Sequence, residues 1–539
     1  MLRLSDFSVP LDYTEDSLRV LLLKKLGLTP EQLISYALFR RSVDARNKSD
    51  VRFVLSLDLR VRNEDVLLKR HKNLTRVEEN RLPPLPVPRF TLPPLVVGAG
   101  PAGLFCALTL ARAGARPVLI ERGKPVEERT ADVRRLTEDG ILDEESNVQF
   151  GEGGAGAFSD GKLTCGVKSP FLRDVLETFA AHGAPEQILT DPKPHIGTDR
   201  LKPVVASIRR EILSLGGSVF FETRLEDLLI HGGRAAGAVV SRHGEKREIL
   251  SDAVLLCIGH SAWDTMRSLF RSGVRMERKP FAMGVRIEHP RTLIDRSQYG
   301  SFAGHPRLGA ASYKLACHTR DGRGVYTFCM CPGGQVIAAA SEREGVVVNG
   351  MSLHARDGEN SNSALLVGVR PDDFGGSHPL AGFELQRKIE EAAYRAANPA
   401  PCASVSGNVP DFRAPAQRVE DFLLNRETVR FGSVHPSYLP GAVPADLRAV
   451  LPAYIAENLK LALPEFDRRI KGFAMPDAVL TAPETRSSSP VRLLRDSGGQ
   501  AEGIPGLYPV GEGAGYAGGI VSAALDGIQA ARRALDSVE

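Results

Sequence analysis

The sequence predicts an α/β protein: a parallel sheet flanked by helices, with a β-meander, an inserted α+β domain and a small βαββ unit ahead of it. Three observations predict it. Residues 95–122, LVVGAGPAGLFCALTLARAGARPVLIER, read as strand, glycine turn, helix and second strand. Residues 81–94, RLPPLPVPRFTLPP, hold six prolines and admit neither a helix nor an inner strand. From about 261 to 495 the alternating pattern becomes a mixture of strands and helices, after which a buried strand and a glycine turn return at 506–520. The expected division is therefore 1–80 for the small unit, 81–94 for a stiff linker, 95–260 with 496–539 for the parallel-sheet domain, and 261–495 for the insert.

In the 95–122 stretch, Leu95, Val96 and Val97 end an apolar run of the kind that is buried on both faces. Gly98-x-Gly100-x-x-Gly103 follows. The first glycine permits the turn, the second lets backbone approach a pyrophosphate, and the third lets the helix pack on the strand. The helix from about Pro101 to Ala113 aims its free N–H groups and positive dipole end at the phosphates. Pro117 to Ile120 returns as a strand, and Glu121 ends it where a carboxylate would accept hydrogen bonds from ribose hydroxyls. With every part at its required offset, the stretch is read as a Rossmann-like site for an adenine dinucleotide.

A chain of 539 residues, 42% hydrophobic and 25% charged, has ample core for two or three globular domains. The net charge of +4 names no partner. Residues 1–76 are more basic, with 15 Lys/Arg against 10 Asp/Glu. A solvated face explains that bias as readily as a nucleic-acid surface. Seven cysteines, spread from Cys106 to Cys402, make no disulfide framework. No stretch reads as a membrane span or a secretory signal, so a reducing cytoplasm is expected. Nothing in the sequence sets an oligomeric state.

Along the chain, residues 2–10 read as a strand, and Thr14 caps a helix over about 15–27 with Leu18, Leu21, Leu22 and Leu26 on one face. Residues 34–42 and 51–62 read as strands, the second alternating Val51, Phe53, Leu55, Leu57, Leu59 and Val61. The basic cluster Arg40-Arg41-x-x-x-Arg46-x-Lys48 falls on their hairpin. Helices are expected at 124–145, 171–182, 202–215 and 381–397, and strands at 218–224, 234–241, 247–258, 281–288, 324–331, 334–341 and 364–369. The glycine-rich run 151–162 demands close approach or positive φ, and Phe158 suggests a loop lying against a planar ligand.

The strand–GAGPAG–helix near the start and GLYPVGEGAGYAGGI at 506–520 together resemble FAD-binding flavoproteins of the glutathione-reductase superfamily. More closely, the chain is similar to the uncharacterised FAD-dependent dehydrogenase family. SVDARNK (42–48), GEGGAGAFSDGKLTC (151–165), KPHIGTD (193–199), GVRIEHP (284–290), FCMCPGG (328–334) and ETRSSSPVR (484–492) carry that similarity. The resemblance implies FAD, redox chemistry and a ribityl contact from Glu512, where aspartate is commoner. It also implies a helix N-terminus near Gly519-Ile520-Val521 at the flavin, where negative charge grows on reduction. The expected cofactor-binding set is Gly98, Ala99, Gly100, Pro101, Ala102, Gly103, Glu121, Arg122, Arg129, Phe158, Ser159, Asp160, Leu225, Ile258, Gly259, Gly511, Glu512, Gly519, Ile520 and Val521.

With one GxGxxG and no second copy, a two-dinucleotide reductase plan is disfavoured, and NAD(P)H, if it is the donor, binds without a Rossmann domain of its own. His195 sits in a polar loop and could move protons near neutral pH; a histidine that caps a helix or bonds loop backbone is the equal alternative. Arg286 and Arg486 could hold an anionic substrate bidentately. Arg486 is preferred, because it precedes the chain's return to the flavin, so His195 and Arg486 are the expected catalytic residues. Cys329 and Cys331, at i and i+2 of a strand, could cycle between thiols and disulfide. The reading preferred here is two small buried side chains. No metal is expected, since no CxxC or HxxxH spacing occurs. The expected activity is an FAD-dependent oxidation or reduction of a small-molecule substrate. Two rivals are a flavoprotein docked on RNA by its basic N-terminal unit and a non-catalytic FAD sensor.

Overall fold

The computed structural model describes residues 1–78, 82–398 and 412–537; Cys402 and Arg81 lie outside the described residues. At the centre are five parallel strands in the order Leu507–Pro509, Val254–Leu256, Leu95–Val97, Val118–Ile120 and Ser218–Phe220. Leu95, Val96 and Val97 are almost wholly buried because both sheet faces are covered. Helices Pro101–Arg112, Thr198–Ser214 and Ile520–Ser537 share a core on one face, joined by Phe105, Leu108, Val204, Ile208, Ala524 and Ile528. The meander Thr223–His231, Arg234–Arg242 and Glu245–Leu250, with helix Trp263–Arg271, covers the other.

The segment between is built on a seven-stranded sheet. Its order is Ala316–His318, Gly324–Cys331, Asn360–Val369, Phe281–Pro290, Val479–Glu484, Ala414–Arg418 and Ala442–Pro444. Strand Phe281–Pro290 is buried along nearly its whole length, as a central strand should be. Helices Ala381–Ala397 and Ala453–Arg469 contribute Ile389, Ala393, Leu459 and Phe466 to its core.

The N-terminal sheet corrects the expected βαββ unit. Its four strands run in the order Leu33–Asp44, Arg52–Val61, Leu2–Pro10 and Leu74–Arg76, with helices Glu15–Leu26 and Glu64–Arg70. The added strand has three residues, of which only Leu74 is buried, so it offers no alternation to read. Thr14 caps as expected: its Oγ1 accepts from the Ser17 amide at 3.2 Å, while Ser17 Oγ accepts from the Thr14 amide at 2.8 Å. The basic hairpin turns toward the rest of the chain. The Arg41 amide donates to the Thr190 carbonyl at 2.9 Å, and Lys48 Nζ to that of Ser297 at 2.5 Å. The proline-rich segment is extended and tied down, its Thr91 and Leu92 amides donating to Asp252 Oδ2 at 2.6 and 2.7 Å.

Two expected strands are each split. Residues 218–224 divide at the crossover from parallel sheet to meander. Residues 247–258 divide where Ser251 Oγ turns back to bond the carbonyls of Pro93 and Ala253. The helix expected over 124–145 is shorter, Val126–Asp139, and ends at Gly140 with φ +67°.

Candidate active site

The glycine turn is shaped by contacts no side chain would survive. Gly98 has φ +101°, and a Cβ there would stand 2.4 Å from the Cys257 carbonyl oxygen. A Cβ on Gly103 would stand 1.7 Å from the Gly98 carbonyl oxygen. The helix after the turn starts with Pro101 and carries no side-chain cap, which leaves its first-turn N–H groups for a ligand. Glu121 closes the second strand. Its carboxylate accepts from the amides of Ala99, Gly123 and Gly151 at 2.7, 3.0 and 2.9 Å.

These residues open onto a cavity of about 580 Å³, within the range of cofactor sites. Of the expected set, Gly98, Gly100, Pro101, Ala102, Glu121, Arg122, Ser159, Leu225, Ile258, Gly259, Glu512, Gly519 and Ile520 line it. The C-terminal helix begins at Ile520, directly against it. Glu512 is pushed up to about 7 by burial, against the pull of Lys279.

Other expected residues stand behind the wall. Arg129 is fully buried, and its guanidinium donates to five carbonyls: Asn147, Val148, Gly151, Glu152 and Gly154, at 2.6 to 3.2 Å. Burial lowers it to about 10, with Glu121 and Glu152 opposing, so it stays charged at neutral pH. It shapes the glycine loop, whose Gly151, Gly154 and Gly156 reach the cavity. Phe158 is turned into the core between Arg129 and Lys202, 4.8 and 4.3 Å from its ring centre, and not toward the cavity. Ala99 and Gly103 act through backbone and packing, Gly511 donates its amide to Asp526 at 2.7 Å, and Val521 is core.

Asp160 is buried and holds two cavity cations. Its oxygens meet Arg356 at 2.9 and 2.5 Å and Lys162 at 3.1 Å. Burial raises Asp160, but Lys162 and Arg356 outweigh it and the carboxyl is lowered. His195 does not line the cavity. Its Nε2 donates to the His354 carbonyl at 3.2 Å, and burial with the neighbouring Arg356 lowers it to about 4. The ring is neutral at pH 7, in the backbone-bonding role.

Arg486 lines the cavity, but its Nε and Nη2 lie 3.0 and 2.7 Å from the Glu390 carboxylate and its Nη1 2.5 Å from Ser341 Oγ. Arg286 is fully buried, bidentate on Glu484 at 2.5 and 3.1 Å. Both guanidinium groups are occupied by protein carboxylates. The cavity is also lined by Lys162, Tyr313, Phe328, Cys329, Asn349 and Arg356, which sequence reasoning did not assign to the site. A signal was present: Lys162, Phe328 and Cys329 lie in the runs 151–165 and 328–334 that carry the family resemblance.

The site fits an adenine dinucleotide: a turn that tolerates only glycine, an uncapped helix start and a carboxylate at the strand end share one cavity. Comparisons agree. Residues 94–131 match an FAD binding domain, residues 280–487 an FAD-dependent protein, C-terminal domain-like, and residues 1–60 a domain of unknown function. An uncharacterized protein of Clostridium beijerinckii (strain ATCC 51743 / NCIMB 8052) is 44% identical over 543 residues, covering 100% of this chain and 99% of its own. The chain belongs to this family of FAD-dependent proteins. It is a flavoprotein, and its FAD binding domain is the segment that carries the glycine turn. Among solved structures, a geranylgeranyl bacteriochlorophyll reductase-like protein of Thermoplasma acidophilum is 12% identical, with 83% of this chain and 78% of that one covered at TM-score 0.37. A 3-ketosteroid-Δ4-(5α)-dehydrogenase of Rhodococcus jostii RHA1 is 14% identical, with 84% and 99% covered at TM-score 0.33. Among the described residues, no helix is long and apolar enough to cross a membrane and no cluster could hold a metal ion.

Proposed function

We propose that this flavoprotein is a cytoplasmic FAD-dependent oxidoreductase acting on a small-molecule substrate, of the general plan of the glutathione-reductase superfamily, with an α+β substrate domain at about 261–495 inserted in the FAD domain. One observation carries the reading: a single cavity joins the glycine turn and Glu121 to the cationic wall of Lys162 and Arg356. The flavin, when bound, supplies two-electron transfer. Glu121 and the turn would hold the adenosine and pyrophosphate half. Glu512 would serve the ribityl chain, and the positive end of helix Ile520–Ser537, which opens onto the same cavity, would favour negative charge on the reduced cofactor. Lys162, held by Asp160, stabilises negative charge on a substrate or on the ring. Lys193 and Lys314, exposed at the cavity rim, favour an anionic substrate or an NAD(P)H donor.

The test is the identity of the cofactor and of its donor. Purified protein should be yellow and release FAD on denaturation, and the flavin should bleach anaerobically with NADH, NADPH or a metabolite pool. Released FMN, or a colourless protein that takes up no FAD, would overturn the assignment. A flavin that no donor reduces would favour the sensor reading.

A further inference from the structure

Strand Gly324–Cys331 breaks its register against Asn360–Val369 at one point. Phe328 faces Ala364 and Cys331 faces Asn362, so the first strand spends three steps where its partner spends two. The extra residue is a bulge, a feature that re-aims side chains beside active sites. Cys329 takes φ +40° there, a left-handed conformation uncommon outside glycine and asparagine. The kink is braced by two cations: Arg286 Nη1 donates to the Cys329 carbonyl at 2.9 Å, and Lys162 Nζ donates to the Met330 carbonyl.

The bulge changes how the two thiols meet. On a regular strand residues i and i+2 are about 6.6 Å apart, at the far end of what a disulfide spans. Here the chain is bent, and the Cys331 side chain turns back onto its neighbour, the Sγ donating to the Cys329 carbonyl oxygen at 3.3 Å. Cys329 lines the cavity and is partly exposed, while Cys331 is wholly buried. The neighbouring Cys331 thiol, with Lys162 and Arg286, lowers Cys329 below the ordinary thiol range, against burial. Cys331 is raised by its Cys329 neighbour and by burial. Cys329 is therefore the sulfur at the cavity, beside two cations that favour its ionised form, and Cys331 the partner behind it, the division of labour of an attacking and a resolving cysteine.

A second adjacent pair shows what is specific here. Cys106 and Cys257 share the core beside the parallel sheet, where burial and Cys106 push Cys257 well above the ordinary thiol range. Adjacency alone does not activate a thiol.

We propose that Cys329 and Cys331 are a redox-active thiol pair that exchanges two electrons with the FAD of the same cavity. The proposal rests on the FAD assignment above. In one direction the two S–H bonds break and one S–S bond forms. The two electrons and two protons released convert oxidised flavin to its dihydro form. In the other, dihydroflavin returns two electrons and two protons and the S–S bond opens to two thiols. The external partner is a thiol or disulfide that meets Cys329 from the cavity, since Cys331 has no exposed surface.

The test uses the full-length flavoprotein. Oxidised protein is denatured, alkylated with iodoacetamide and digested, and the same is done after anaerobic reduction. The 329–331 peptide should be unalkylated and lighter by two hydrogens in the first sample, and doubly alkylated in the second. Anaerobic titration with dithionite should consume two electron pairs per FAD in the parent and in Cys317→Ser, but one in Cys331→Ala and in Cys329→Ser. Both cysteines alkylated in the oxidised protein, with one electron pair per FAD, would overturn the pair and leave the FAD assignment standing. Absence of FAD would instead overturn that assignment, and the peptide mass still reports on the sulfurs. If either variant fails to fold, the parent peptide and titration decide alone.

Discussion

Arg486 and Glu390 form a bidentate ion pair with both side chains only 2% exposed. The arginine also lies over the Trp263 ring, 4.6 Å from its centre. Glu390 belongs to helix Ala381–Ala397, which packs on the seven-stranded sheet, and Trp263 to the core of the parallel sheet, so one guanidinium joins the two. Removing it strands a buried carboxylate. Arg486→Ala should therefore cost about 3–5 kcal/mol of stability, read as a lowered Tm or denaturant midpoint, with flavin loss following unfolding. Lysine should rescue little, since a point charge cannot satisfy both oxygens. An alanine variant that melts with the parent and loses only turnover would restore the substrate-side role expected from the sequence.

Gly103 and Gly114 offer a matched pair. A Cβ on Gly103 would collide with the Gly98 carbonyl, whereas one on Gly114, at φ +87°, meets nothing within 4 Å. Gly114→Ala should cost about 1–3 kcal/mol from backbone strain alone, with flavin retained. Gly103→Ala should abolish flavin binding because helix and turn must separate. Equal flavin content in the two purified variants would argue against the close approach.

Glu121 accepts three backbone amides around the turn, while Glu128 stands exposed on helix Val126–Asp139. Glu121→Ala should weaken FAD binding by about 1–3 kcal/mol, through the loss of these charge-assisted bonds as well as the ribose contact. Glu128→Ala should leave it unchanged. Comparing the dissociation constants by flavin fluorescence decides the matter; identical values would remove Glu121 from the site.

Glu152 carries a pH signature. One oxygen accepts from the Val126 amide at 2.9 Å, the other is buried without a hydrogen-bond partner among the described residues, and burial pushes the group up to about 7. The unfolded value is near 4.5. Between these pH values the native state holds a proton that the unfolded chain has released, so this residue's contribution to stability falls as pH rises. Glu152→Gln should match the parent near pH 4 and exceed it by roughly 2–3 kcal/mol near pH 7. Denaturant titrations of both proteins across that window test it, and a difference independent of pH would reject the raised acid.

Much of the FAD domain was legible because its signals are local. Leu95 to Glu121 is one contiguous unit in which each residue's neighbours in sequence dictate its role. The alternation of Val51 to Val61 likewise exposed a half-buried strand. The roles of Arg129, Arg486 and Arg286 were not legible. An arginine's partner is chosen by tertiary packing, and Asn147, Glu390 and Glu484 lie 18, 96 and 198 residues away. Phe158 misled for a related reason: an aromatic beside glycines reads as a ligand platform, but which way it turns depends on helix residues Arg129 and Lys202. The bulge at Cys329 escaped because nothing in FCMC marks a register slip; it emerges only against the strand Asn360–Val369.

The convergence of five carbonyls on Arg129 bears on kinetics. A loop this rich in glycine would otherwise sample many shapes and lose that freedom when the cofactor arrives. With its oxygens already gathered by one cation, the loop becomes ordered during folding, before any ligand is met. Cofactor capture then resembles docking into a rigid mould, with an association rate set by diffusion and by the flavin's own flexibility.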